Sequence, residues 1–437
     1  MAQTNLAPNA GNAALQNKKL KLFAAGILDS IPYIRMSRSY FKDDVKNKKA
    51  GMSYQFYVPD PGCAVAGTTD LNLNSTANAK KLAGATIWER PVTCTLVDGI
   101  AEVKLSAWNK LVSIEDFKRT VVDERARGLG AEIEQSVILN NVFRVDSAIV
   151  DSSGTPSSRQ FALLTSKLRG IRSAGTKIAF AHPDVYACLG DQFLGKYLPS
   201  EIMKKIYDKL DVGNVFGAEW IEENYMPFVT ATGSETVTEV DFDDADGIKI
   251  TGTGLYVGMP IKIKGADGKF LKTVDLVGKP TNEDFVLIVS KLTTSNTVGY
   301  AQLEAGEVRF MNDKESSTVF NQSNPTIGYE RYQTDGTDNL AKTGLSTTAG
   351  TVVLGITTAG TYAVVQIRDR DALEFDSYEF DEVAGAKNEK LKAMEITVQS
   401  VEQGDVTTRD SIMRIDVPYM AKLVLTKLAR VLYMKIA

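Results

Sequence analysis

The chain reads as an α+β fold into which an all-β segment is inserted. A long amphipathic helix begins near Ser113, mixed helices and a short strand fill residues 161–225, and residues 228–350 hold short Val/Ile/Thr runs broken by Gly, Asp and Asn. That last pattern is the signature of a small β-sandwich or barrel. Strand-like runs return around Val364–Ile367, Met394–Ser400 and Ile412–Val417, so α+β material brackets the β-rich block. One insertion accounts for this order more economically than independent domains in series.

At 437 residues the chain exceeds the size at which a single core usually keeps growing, which predicts two or three domains. Its 43% hydrophobic and 24% charged residues are those of an ordinary globular protein able to bury a core. Fifty basic against 54 acidic residues leave a net charge of -4, so there is no chain-wide cationic field to hold nucleic acid or an anionic membrane. Apolar stretches are broken by Lys or Arg well short of the roughly 18 residues a membrane span requires. Residues 1–17 lack the basic-then-apolar order of a signal peptide, so export is not expected. Cys63, Cys94 and Cys188 are odd in number and widely spaced, as in a protein made in a reducing cytoplasm, and are expected to be buried thiols.

Residues 1–50 are read as an N-terminal arm followed by a short apolar helix from Leu20 to Ile34, ending in a Lys-rich turn. Residues 51–110 form an extended β-arm. In it, Tyr54, Phe56 and Val58 alternate, a Gly/Thr/Asn/Ala-rich excursion spans 62–86, and Asp98-Gly99 between two alternating runs predicts a hairpin turn. Residues 111–150 carry the long helix, with Ser113 and Asp116 as a capping pair and Ile114, Phe117, Val121, Leu129, Ile133 and Val137 as its apolar stripe. Gly128 and Gly130 predict a bend in it. Residues 151–225 are the first α+β part, 226–350 the β-rich insertion opening at Met226-Pro227, and 351–437 the returning α+β part with C-terminal strands.

Catalytic chemistry is sparse. His182 is the sole histidine, so any triad, dyad or His-based metal site must use it; beside Pro183 it reads as a satisfied turn residue. Cys188, six positions later, is a formal thiol nucleophile without an orienting third group in any motif. Gly252, Gly254 and Gly258 have the wrong spacing for a dinucleotide loop and read as strand turns; a GxxxxGK[ST] loop is absent. Asp241, Asp243, Asp244 and Asp246 precede Gly247 as in a calcium loop, but that register places Phe242 first and Thr253 twelfth, where acids are required. These aspartates are read as a solvated acidic loop or an inter-subunit charge contact. No cofactor or metal is expected. An enzyme working through two carboxylates is the remaining catalytic alternative, since such pairs are defined by distance and environment rather than spacing.

The order of parts resembles the major capsid proteins of tailed bacteriophages, with the Hong Kong 97-type fold, and within them the podovirus branch carrying a telokin-like, immunoglobulin-resembling I-domain. Phe180-Ala181-His182-Pro183-Asp184 resembles that family's A-domain turn. Gln403-Gly404-Asp405, followed by Ile412-Met413-Arg414-Ile415-Asp416-Val417-Pro418-Tyr419, resembles its C-terminal turn and the strand entering the P-domain sheet. Thr426-Lys427-Leu428-Ala429-Arg430 departs from the family's Arg-Pro-Glu-Ala-like step, and the segment before Ile248 is short for its inter-capsomer loop. The resemblance implies an N-arm, an E-loop, a P-domain with a spine helix, and an A-domain carrying the insertion. It implies a non-enzymatic coat protein of the virion, assembled in the host cytoplasm as hexamers and pentamers of an icosahedral shell around double-stranded DNA. Scaffolding, portal and decoration proteins are the implied partners, with Lys18, Lys19 and Lys21 as candidate scaffold contacts. The competing reading is a phage tail or receptor-binding protein in which residues 228–350 are an Ig-like recognition domain.

Overall fold

The computed structural model describes residues 20–37, 53–59, 89–105, 124–154, 157–171, 173–194, 214–241, 244, 246–264, 270–274, 280–293, 296–304, 309–310, 330–331, 352–380, 386–393, 396–404 and 411–436. Helices and strands are mixed, giving the expected α+β class, and the chain divides into two compact units.

The first unit takes residues 1–55, 93–138 and 373–422. Its frame is an antiparallel five-stranded sheet in which Ser411–Leu423 is the hub: it pairs with Ile396–Gly404, Val97–Leu105 and Leu373–Ser377. Lys387–Ala393 forms the edge beside Ile396–Gly404. Val103, Val398, Met413, Ile415 and Val417 alternate onto one buried face, as period-two patterning requires. The helix Arg127–Asn141 begins in this unit after a π-helical turn at 124–126, and its Leu129, Ile133 and Val137 are buried. The expected start at Ser113 lies outside the described residues. Residues 20–28 are helical, and Pro32–Arg35 adds one turn with Pro at its start, where a missing N–H costs nothing. Leu20, Phe23, Ile27 and Ile31 recur at helical spacing and are buried.

One glycine-containing feature is not what the sequence predicts. Asp98-Gly99 does not turn: Val97–Leu105 runs straight through both residues, which sit opposite Pro418 and Val417. A Cβ at Gly99 would lie 2.9 Å from Ile133 Cδ1 and 3.3 Å from Leu129 Cδ1, so the glycine lets strand and helix approach. The helix stays α-helical through Gly128 and Gly130. At Gly130 a Cβ would meet the Ile27 carbonyl oxygen at 2.9 Å, whereas nothing lies within 4 Å at Gly128. Gly130 is thus a close-packing site and Gly128 is not.

The second unit takes residues 56–92, 139–372 and 423–437. Its seven-stranded sheet runs in the order Ala148–Asp151, Ala429–Lys435, Gly360–Asp369, Lys177–Ala181, Ala218–Glu222, Asn214–Val215, with Phe228–Ala231 also paired to Gly360–Asp369. Gly360–Asp369 is buried on both faces from Tyr362 to Asp369. Gln366 donates to the Asn141 and Val142 carbonyls, and the Arg368 guanidinium lies 5.0 Å from the Phe180 ring. The helix Ser158–Gly170 packs on Ala429–Lys435 and buries Phe161, Leu164 and Leu168.

Within the same unit, residues 236–354 make a sheet of their own, wholly antiparallel, in the order Val352–Leu354, Pro260–Ile263, Val286–Leu292, Val298–Ala301, Lys249–Thr253, Thr236–Asp241. Ile250, Ile261, Leu271, Phe285, Leu287 and Val289 lie in one apolar cluster. The boundaries expected at 226 and 350 shift: Phe228–Ala231 hydrogen-bonds into the seven-stranded sheet, and Val352–Leu354 closes the β-rich one. Composition changes at Met226-Pro227, but backbone pairing changes only after Ala231. Gly254 and Gly258 take positive φ, the turn role expected of that series.

Replacing Gly128 with Ala should stabilise the protein by up to about 1 kcal/mol through helix propensity. The same change at Gly130 should destabilise it, because the Cβ meets backbone that cannot move cheaply. Thermal melts of the two single variants check the opposite signs.

Candidate functional site

Of the residues singled out by sequence, the acidic loop is partly visible. Asp241 ends the strand Thr236–Asp241, and Asp243 lies outside the described residues. Asp244 accepts the Asp246 N–H at 3.0 Å and lies 3.5 Å from the Lys249 ammonium, while Asp246 is exposed. Asp244 is therefore engaged within its own turn. No group of three or more metal-ligating side chains occurs among the described residues. Lys18 and Lys19 lie outside them, and Lys21 is exposed on the helix at 20–28. His182 Nδ1 accepts the Asp184 N–H at 3.3 Å and its ring meets Phe228 edge-on at 4.5 Å, the turn role its neighbour Pro183 suggests. Cys94 is buried and Cys188 half-buried; Cys63 lies outside the described residues.

The most elaborate polar arrangement was not signalled by any motif. In the second unit, Arg430 on Ala429–Lys435 is fully buried; its Nη1 donates to Asp146 Oδ1 at 2.7 Å and its Nε to Glu283 Oε2 at 2.8 Å. The same Nη1 reaches the Lys427 and Ala429 carbonyls. Lys167, from the helix Ser158–Gly170, lies 3.8 Å from the other Glu283 oxygen. Glu283 belongs to the strand Pro280–Asp284 of the β-rich block, whereas Arg430 and Lys167 belong to the mixed sheet and its helix and Asp146 to the connection just before the strand Ala148–Asp151. The network is thus a junction between the block and the sheet that carries it.

Further bonds join the same two parts. The Val286 N–H donates to the Asp146 carbonyl at 2.9 Å, and Gln302 Nε2 to the Leu139 carbonyl at 2.8 Å. Arg144 donates from Nη1 to the Gln302 carbonyl at 3.0 Å. These contacts make the β-rich block a docked part of the unit and not a module on a tether.

Electrostatics at the junction follow from burial and sharing. Burial pushes the Asp146 carboxyl above its ordinary range, opposed by Arg430 and Lys427. Burial acts on Glu283 in the same sense, but the Arg430 and Lys167 charges and the Arg430 hydrogen bond outweigh it and hold that carboxyl below its ordinary range. Lys167 is pushed down, chiefly by burial, with Glu283 pulling the other way. Chemically the cluster can hold two surfaces together. Its cation is fixed by two carboxylates and two carbonyls inside the protein, a structural arrangement and not a reactive one.

No family model matches the chain, and no curated protein matches it. Solved structures similar to it include one of Mycobacterium phage Che8, at 11% identity over 91% of this chain and 91% of that chain, with a TM-score of 0.35. The capsid of cyanophage P-SCSP1u is 10% identical over 92% of this chain and 89% of that one, with a TM-score of 0.38. A virus-like particle from Pyrococcus furiosus is 8% identical over 95% and 98%, with a TM-score of 0.39.

Arg430→Met should lower stability by about 3–5 kcal/mol, because it strands two buried carboxylates. Glu283→Gln should also destabilise near neutral pH. The Glu283 carboxyl is held low in the folded state, so its contribution is present above the unfolded pKa and disappears as pH falls through the folded one. The gap between wild type and Glu283→Gln should therefore close in acid, as thermal melts at pH 7 and pH 3 would show.

Proposed function

We propose that the chain is a major capsid protein of a tailed bacteriophage, of the Hong Kong 97-type fold, that assembles with copies of itself into an icosahedral head shell around double-stranded DNA. The observation that carries this reading is the pairing of Val97–Leu105 with Ser411–Leu423 over nine residue pairs, packed on the helix Arg127–Asn141. It supports the P-domain reading that the motif Ile412–Tyr419 implies: a sheet built around that late strand and backed by a spine helix. The mixed sheet then corresponds to the A-domain, and residues 236–354, docked through Arg430, to the I-domain of the podovirus branch. In this reading the chain is not an enzyme, and the ionic clusters serve to hold parts together.

A shell subunit makes many moderate contacts that close into hexamers and pentamers rather than one very tight dimer. Lys18, Lys19 and Lys21 are the proposed contacts to a scaffolding protein of the procapsid, with portal and decoration proteins as further partners. Asp241, Asp243, Asp244 and Asp246 are the proposed inter-subunit charges, of which Asp244 also pairs with Lys249.

Negative-stain microscopy and sedimentation of the purified chain, over a range of concentration and salt, test the reading. Closed shells or polyheads are expected. Persistent compact monomers overturn it, and discrete trimers or uniform tail-like tubes favour a tail protein instead.

A further inference from the structure

Arg414 projects from Ser411–Leu423 on the sheet face opposite the helix Arg127–Asn141, and one guanidinium there serves two carboxylates. Its Nε donates to Asp416 Oδ1 at 2.5 Å and its Nη2 to Asp98 Oδ2 at 3.1 Å. The arginine side chain is 42% exposed, while those of Asp98 and Asp416 are only 10% and 8% exposed. Asp98 Oδ1 is buried and accepts no hydrogen bond. An ionised Asp98 would thus hold its charge on one satisfied oxygen, beside a second carboxylate, against a cation already committed to that neighbour. From across the strand the helix presents Leu129 and Ile133 at Gly99, which bring no charge. Among the described residues the charged groups acting on Asp98 are Asp416 and Arg414, and Glu102 stands opposite Arg414 on the neighbouring strand.

We propose that Asp98, Arg414 and Asp416 form a proton-operated latch on the pairing of Val97–Leu105 with Ser411–Leu423, tight when Asp98 is protonated and loosened when it ionises. Burial, and then the Asp416 charge, push the Asp98 carboxyl up to about 6, with Arg414 opposing both. The folded-state pKa is raised above the unfolded one. The group's stabilising contribution is therefore complete below about pH 4 and is lost progressively as pH rises through 6. The latch concerns strand pairing within one chain and stands whether or not the chain builds a shell.

Hydrogen exchange of the amides in 97–105 and 411–419, corrected for intrinsic rates, tests the latch at pH 5 and pH 8. Wild-type protection attributable to Asp98 should fall by about tenfold between the two, as the difference between wild type and Asp98→Asn. In Arg414→Gln the fall should move to higher pH, since a charge that favours ionisation is gone. Equal pH dependence in wild type and Asp98→Asn overturns the proposal. So does a carboxyl carbon titration of Asp98 in the wild-type protein with a midpoint near 4, a measurement that does not depend on any variant folding.

Discussion

Both sheets depend on backbone pairing with the last stretch of the chain. Ser411–Leu423 is the hub of the five-stranded sheet, and Ala429–Lys435 lies between Ala148–Asp151 and Gly360–Asp369 in the seven-stranded one. Val97 meets Tyr419 and Ala148 meets Val431, partners separated by roughly 300 residues. Closing such loops costs entropy before any pairing repays it, so neither sheet can be completed until the C-terminal strands arrive. A β-rich block whose strand pairing lies within 236–354 escapes that constraint and has a core of its own.

The price of docking that block is a set of buried charges. Arg430, Asp146 and Glu283 would be replaceable by apolar residues if adhesion were all that mattered, since desolvating ions offsets much of their attraction. Their hydrogen-bond geometry adds direction: Nε and Nη1 of one guanidinium select one carboxylate each, and the Val286 N–H adds a bond to the Asp146 backbone. Such a junction admits one orientation of the block, where an oily contact would tolerate several. Glu134 does comparable work in the other unit. It is fully buried on the helix Arg127–Asn141 and accepts the N–H groups of Tyr33 and Ile34, which caps the short turn Pro32–Arg35 and ties it to the helix.

Much of the fold was legible from local pattern. The strands at Lys177–Ala181, Gly360–Asp369 and Ser411–Leu423, the stripe Leu129, Ile133, Val137 and the β-rich character of 236–354 follow from apolar periodicity, which burial imposes residue by residue. Asp98-Gly99 was misleading because the dipeptide has two uses: it can turn a chain, or it can provide a small residue and an acid side by side on a continuous strand. Which applies is decided by Ile133 on one face and Arg414 on the other, and neither is near it in sequence.

Composition and periodicity were enough for the α+β class, the β-rich block and the scarcity of catalytic groups, because they report on burial and on available chemistry. Only the tertiary structure decided which glycines were spacers, where the block's pairing begins, and which charges meet. Asp146, Lys167, Glu283 and Arg430 are ordinary residues spread over almost 300 positions, and an ion pair is defined by distance and desolvation, neither of which leaves a mark on local sequence.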